Sequence, residues 1–190
     1  MGLRLFIAVN LESRVRAKIA SAIDGFPVDR PPWRWTRPGT WHVTLKFLGD
    51  TPDSDVAAIS SCLENVAARH RAFELELRDF GGFPSLSRPR VLFFSAERGA
   101  GELRGLAADV GETLSDVMGL APEARRFHAH VTVARVKSRI PSALTGRLES
   151  VPGLAGAVQA VASFDLIKSE LHREGARYEC LKAFALPPAP

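Results

Sequence analysis

Short alternating runs of apolar and polar residues break up stretches of helical spacing along most of this chain. In residues 3–10, Leu5, Ile7 and Val9 alternate with Arg4, Phe6 and Ala8, which predicts a strand. Val15, Ile19 and Ile23 recur every four residues and predict a helix that opens at Leu11-Glu12-Ser13 and ends near Gly25. Residues 27–40, with Pro27, Pro31, Pro32, Trp33, Trp35 and Gly39, read as a loop. A strand follows over 42–48 and stops at Gly49-Asp50. Thr51-Pro52-Asp53 reads as a helix start, with Val56, Ile59, Leu63 and Val66 as the buried stripe to about His70. Phe73, Leu75 and Leu77 predict a strand, residues 81–85 a turn, and residues 91–95 a short apolar strand. Leu103, Leu106, Val110, Leu114 and Val117 predict a helix ending near Gly119, and residues 121–126 a loop. Residues 141–149 fit a short helix. Strands over 158–168 and 178–186, joined by the polar turn at 172–175, complete the pattern.

Two runs repeat each other. His42-Val43-Thr44-Leu45 and His130-Val131-Thr132-Val133 both read His-Val-Thr-apolar, and His130 follows His42 by 88 positions (130 − 42). Both are rich in β-branched residues and read as strands. Alternation puts His42 and Thr44 on one face, with Trp41, Val43, Leu45 and Phe47 on the other. It likewise pairs His130 with Thr132, against Phe127, Ala129, Val131 and Val133. Each half of the chain holds a strand, a helix and one such His-Thr strand. The expected architecture is α+β: two pseudo-symmetric lobes of mostly antiparallel sheet, helices outside, and a central cleft lined by the His-Thr faces. One bilobal domain is expected over residues 1–186, with a disordered tail over 187–190.

Composition narrows the function. The 190 residues are 46% hydrophobic and 24% charged, as in a soluble globular protein. The net charge of +4 is a mild tilt towards anionic partners, far from that of a nucleic-acid coating protein. Cys62 and Cys180 form neither a disulfide framework nor a zinc pattern, and both are expected to be buried thiols. No apolar run is long enough for a membrane span, and the N-terminus lacks a signal-peptide pattern. A cytoplasmic monomer is expected.

Two His-Thr pairs suit acid–base transfer at phosphorus. An imidazole titrates near 6.5, so one histidine can be neutral and the other protonated near neutrality. The neutral ring takes a proton from the nucleophile while the charged ring gives one to the leaving oxygen, each transfer typically contributing about 10²–10⁴-fold in rate. Threonine hydroxyls can donate to the non-bridging oxygens. No Gly-rich phosphate loop or Walker sequence is present, so no cofactor is implied.

These motifs resemble the two-histidine (2H) phosphoesterase superfamily, and within it the bacterial and archaeal RNA 2′,3′-cyclic phosphodiesterases, historically called 2′-5′ RNA ligases. The resemblance rests on Arg4-Leu5-Phe6-Ile7-Ala8, the run from Trp41 to Gly49, Gly82-Phe83-Pro84, the run from Arg88 to Leu92, and the run from Phe127 to Arg135. Leu166, Ser169, Leu171, Gly175, Tyr178, Leu181, Phe184 and Leu186 extend it to the end. Ala129 and Ala176 stand where the family usually or often has proline. The resemblance implies His42 as proton donor, His130 as proton acceptor, and Thr44 and Thr132 as holders of the phosphate oxygens. It implies opening of a 2′,3′-cyclic phosphate at an RNA end to a 2′-phosphate, without metal or ATP.

Arg135 matches a family arginine that meets the phosphate, although strict alternation turns it away from His130. Lys46 falls on the His42 face, where it draws in the anionic substrate or is solvated. Trp33, Trp35 and Phe83 stack a base or anchor loops. Tyr178 reads as structural, and His70 and His172 as surface groups. His128 shares the His130 face, so a metal site of His42, His128 and His130 is one reading; without an evident acidic partner it is the weaker one. Two other functions compete with hydrolysis: 2′-5′ ligation, which is the same reaction reversed, and non-catalytic binding of RNA ends.

Overall fold

Strand β1 (Gly2–Asn10) lies antiparallel between β3 (His42–Pro52) and β8 (Ser163–His172), and β9 (Gly175–Ala185) closes that half of the sheet. The other half is β6 (His130–Val136), β5 (Val91–Ala96), β4 (Phe73–Phe83) and β7 (Ala157–Val161), again antiparallel. The computed structural model describes residues 2–24, 28, 31–120, 126–172 and 175–189. Within them the architecture is α+β, one continuous sheet in the order β7-β4-β5-β6-β3-β1-β8-β9. A single register pair, Val43 with Val131, joins its halves. Both valines are fully buried.

The helices are α1 (Ser13–Asp24), α2 (Val56–Arg69), α3 (Ala100–Met118) and α4 (Ser142–Glu149). Leu103, Leu106, Val110 and Leu114 of α3 are buried, each contributing roughly 2 kcal/mol over an exposed position. Val117, expected on that stripe, is 59% exposed, because the four-residue step from Leu114 brings Met118, not Val117, against the core. Gly119 ends the helix in the left-handed conformation (φ 63°), donating its N–H to Ser115 O at 2.9 Å. No helix among the described residues is long and apolar enough to cross a membrane.

Four predicted elements change. The loop over 27–40 contains β2 (Trp33–Trp35), which pairs with β6. Trp33 is buried there, so it packs the core and is closed to a base. Residues 81–83, expected as a turn, continue β4 alongside β5. Helix α2 does not begin at Thr51: β3 runs on to Pro52, a 3₁₀ turn covers Asp53–Asp55, and no side chain caps the entry. The single strand expected over 158–168 is two strands, β7 on one edge beside β4 and β8 beside β1. One residue, Ala162, links them, so the sheet curls until its two ends approach each other. Cys62 is buried as expected, whereas Cys180 is exposed on the edge strand β9. His172 is on the surface, but His70 is mostly covered and bonds Asp109 Oδ2 of α3 through Nε2 at 2.9 Å. Ala72 donates its N–H to Pro187 O at 2.7 Å. The expected helix end at Gly25, loop residues 121–125, turn residues 173–174 and tail residue 190 lie outside the described residues.

Candidate active site

The Val43–Val131 pair fixes what faces what. In antiparallel register, His42 stands opposite Thr132 and Thr44 opposite His130. The histidines are then diagonal neighbours, roughly 7–8 Å apart at the backbone. All four side chains share the face that also carries Phe6 and Ala8 of β1. Neither threonine hydroxyl takes a partner among the described residues.

Each imidazole is held in the same way. His42 Nδ1 lies 2.8 Å from Thr40 O, and His130 Nδ1 lies 2.7 Å from His128 O. A carbonyl only accepts, so Nδ1 carries the hydrogen in both rings and Nε2 is left for chemistry. Each ring also rests on two aromatic rings of its own half. His42 is 4.8 Å from Phe6 and 5.4 Å from Tyr178, between centroids. His130 is 5.0 Å from Phe83 and 5.3 Å from Phe93. Burial among these rings pushes the His42 pKa down from 6.5 to about 4, with His130, Arg135 and Arg16 adding positive repulsion and the Thr40 carbonyl opposing it. His130 is also lowered, mainly by burial.

Strict alternation fails just beyond each His-Thr pair. In β3, Thr44 pairs with Ala8 and Lys46 with Ile7, which leaves Leu45 as a bulge. In β6, Thr132 pairs with Phe93 and Ala134 with Leu92, which leaves Val133 as the equivalent bulge. The extra residue reverses the facing of the residues next in line. Phe47 therefore joins Phe6 on the cleft face and is 61% exposed, contrary to expectation. Lys46 turns away from His42 to the Ile7 side and is only 4% exposed, so it is not on the His42 face and its side chain is largely buried. Arg135 returns to the His130–Thr132 face, exposed, with its charge reaching His42 and Tyr178.

Three contributors had little sequence signal. Thr36, in the segment read as loop, donates its N–H to Val133 O at 2.8 Å, and its Oγ1 accepts from Trp41 Nε1 at 2.8 Å, tying the β6 bulge to the start of β3. Phe6 was hidden in a run buried on both faces. Tyr178, read as structural, walls the site beside His42, and burial raises its pKa.

Past Val43, β3 and the segment entering β6 diverge. The gap opens into a cavity of about 750 Å³ lined by Lys46, Phe47, Phe83, His128, His130 and one face of α3. His128 lies 5.9 Å from His130 between ring centroids, and no three metal-ligating side chains converge among the described residues.

The LigT-like phosphoesterase family model matches residues 9–93. The chain is 36% identical over 151 residues to an RNA 2′,3′-cyclic phosphodiesterase of Aeropyrum pernix, spanning 79% of this chain and 84% of that one. It is 34% identical over 188 residues to the Thermus thermophilus protein of the same name, spanning 97% and 90%. Among solved structures, E. coli LigT complexed with 3′-AMP superposes with a TM-score of 0.82 at 26% identity, covering 98% of this chain and 99% of that one. With a relative this similar over most of both sequences, the chain belongs to the LigT-like phosphoesterases.

Proposed function

We propose that this protein hydrolyses 2′,3′-cyclic phosphate ends of RNA to 2′-phosphates by metal-independent acid–base catalysis. The reading is carried by the two imidazoles, set diagonally across the Val43–Val131 pair on a shared face, both with Nδ1 bonded and Nε2 available. The relatives' names supply the substrate class. Water attacks phosphorus in line with the P–O3′ bond, one imidazole takes the water proton, and the other protonates the departing 3′ oxygen. Thr44 and Thr132 donate to the non-bridging oxygens, where charge accumulates in the five-coordinate transition state. Arg135 offsets the same charge. The cavity beside His130 has room for the terminal nucleoside, with Phe47 and Phe83 as aromatic walls.

His42 is assigned as proton donor and His130 as proton acceptor. In the free protein both rings are neutral at pH 7, so the donor gains its proton with the substrate, whose anionic phosphate compensates for the lost water. The low pKa of His42 favours a second reading with the roles exchanged. A cyclic substrate carrying sulfur in place of the 3′ oxygen separates the two, because a thiolate leaves without protonation. It restores turnover to the variant lacking the donor, His42→Ala under the first reading and His130→Ala under the second. The main test is incubation of an RNA oligomer ending in a 2′,3′-cyclic phosphate with excess chelator, followed by location of the product phosphate. A 2′-phosphate supports the proposal; a 3′-phosphate or no turnover sinks it.

A further inference from the structure

At the end of β6 away from the cavity, the cleft runs into a strip of positive charge. Arg135 faces Arg34 of β2 in register. Just beyond, residues 88–90 and 137–139 meet around a recess of about 310 Å³ whose charged lining residues are Arg88, Arg90, Lys137 and Arg139, with no carboxylate among them. All four are exposed. Their backbone is pinned: Val136 N–H donates to Arg90 O at 3.0 Å, Arg90 N–H to Phe83 O at 2.6 Å, and Lys137 N–H to Pro32 O at 2.8 Å.

Several other surface cations are ion-paired, as in Arg78–Glu97 at 2.6 Å, Arg98–Glu74 at 2.9 Å and Lys168–Glu179 at 3.3 Å. None of the four strip residues has an ion pair among the described residues. Four positive charges also equal the whole chain's net charge of +4. Gathered without a carboxylate among them, they make this end of the cleft locally positive.

Resting on the phosphodiesterase reading, we propose that this strip holds the backbone phosphates of the RNA upstream of the cyclic end. The substrate is then an oligomer whose strand leaves the histidines over Arg135 and passes along Arg90, Lys137, Arg88 and Arg139. Lys137 lies five residues past Thr132, about 16 Å along the strand. A single nucleotide held at the histidines does not span that distance, whereas an oligomer does.

The test compares a 2′,3′-cyclic mononucleotide with a short RNA oligomer ending in the same cyclic phosphate. The variant carries Arg88→Gln, Arg90→Gln, Lys137→Gln and Arg139→Gln. Its kcat/KM on the oligomer falls about tenfold or more at low salt, mainly through KM. Its plot of log kcat/KM against log salt flattens by about 0.7 for each phosphate that the strip no longer neutralises. Turnover of the mononucleotide is unchanged, which also reports that the variant folds. If it does not fold, Arg88→Gln with Lys137→Gln repeats the comparison with half the charge removed. Equal effects on both substrates, or none on the oligomer, overturn the proposal. If the unaltered protein hydrolyses neither substrate, the phosphodiesterase reading has failed instead. Salt-dependent binding of the oligomer then still decides the strip: abolished in the variant, it stands; retained, it falls.

Discussion

Val43 and Val131 face each other as the only register pair between the two halves of the sheet among the described residues, and both side chains are fully buried. That pairing alone sets each histidine opposite the other strand's threonine. Val131→Ala removes two buried carbons and is expected to cost on the order of 2 kcal/mol. It also loosens the relation between the halves, so kcat should fall by more than a surface valine substitution would cause. Thermal unfolding together with kcat measures both; a destabilised variant with unchanged kcat would separate the joint from the chemistry.

Under the proposed mechanism, His42→Ala and His130→Ala each remove one proton-transfer group. Each should lower kcat by about 10²-fold or more with a smaller change in KM. The double variant should be little worse than either single one, because donor and acceptor act in one step. Steady-state kinetics on a cyclic mononucleotide checks this. Full turnover in either single variant would exclude the two-imidazole mechanism, and retained affinity with no turnover in the unaltered protein would point to a binding module.

The pH dependence of kcat/KM reports the free protein, where both imidazole pKa values lie below 6.5. Its bell should therefore centre on the acid side of 6.5. The bound phosphate anion stabilises imidazolium, so the kcat bell should lie at higher pH. Coincident profiles would mean that the phosphate does not sit between the rings.

The same shift links His42 to stability. Its pKa is about 4 when folded against 6.5 unfolded, so the unfolded chain binds more protons between those values. The stabilisation is fully present above 6.5 and is lost as pH falls through about 4, amounting to about 3 kcal/mol at most. His42→Phe removes this dependence. Denaturant unfolding at pH 7 and pH 4 should show the variant losing less stability than the parent; equal losses would contradict the low pKa.

Thr36→Val strips the hydroxyl that accepts from Trp41 Nε1, and Trp41 is only 2% exposed. The stranded N–H is expected to cost about 1–3 kcal/mol. Thr36 Oγ1 also donates to Val133 O at 2.9 Å, so its loss loosens the bulge and KM should rise as Arg135 loses its position. Thr36→Ser, which keeps the hydroxyl, should restore both; failure of that rescue would make the effect one of packing.

The α+β class, the His-Thr repeat and its polar face were legible in the sequence, because two-residue alternation and helical spacing are local properties of the chain. So were the buried stripes of α1 and α2, which the same periodicity marks. The reversals at Leu45 and Val133 were not, because a bulge exists only relative to the partner strand, and those partners come from β1 and β5. This is why strict alternation turns Arg135 away from the His130 face and Lys46 onto the His42 face. The split at Ala162 was likewise invisible, since one apolar run looks the same whichever edges it joins. The sequence by itself determined which groups could do proton transfer. Only the tertiary structure decided that they meet, through one valine pair, and that burial against Phe6, Tyr178, Phe83 and Phe93 lowers their pKa values.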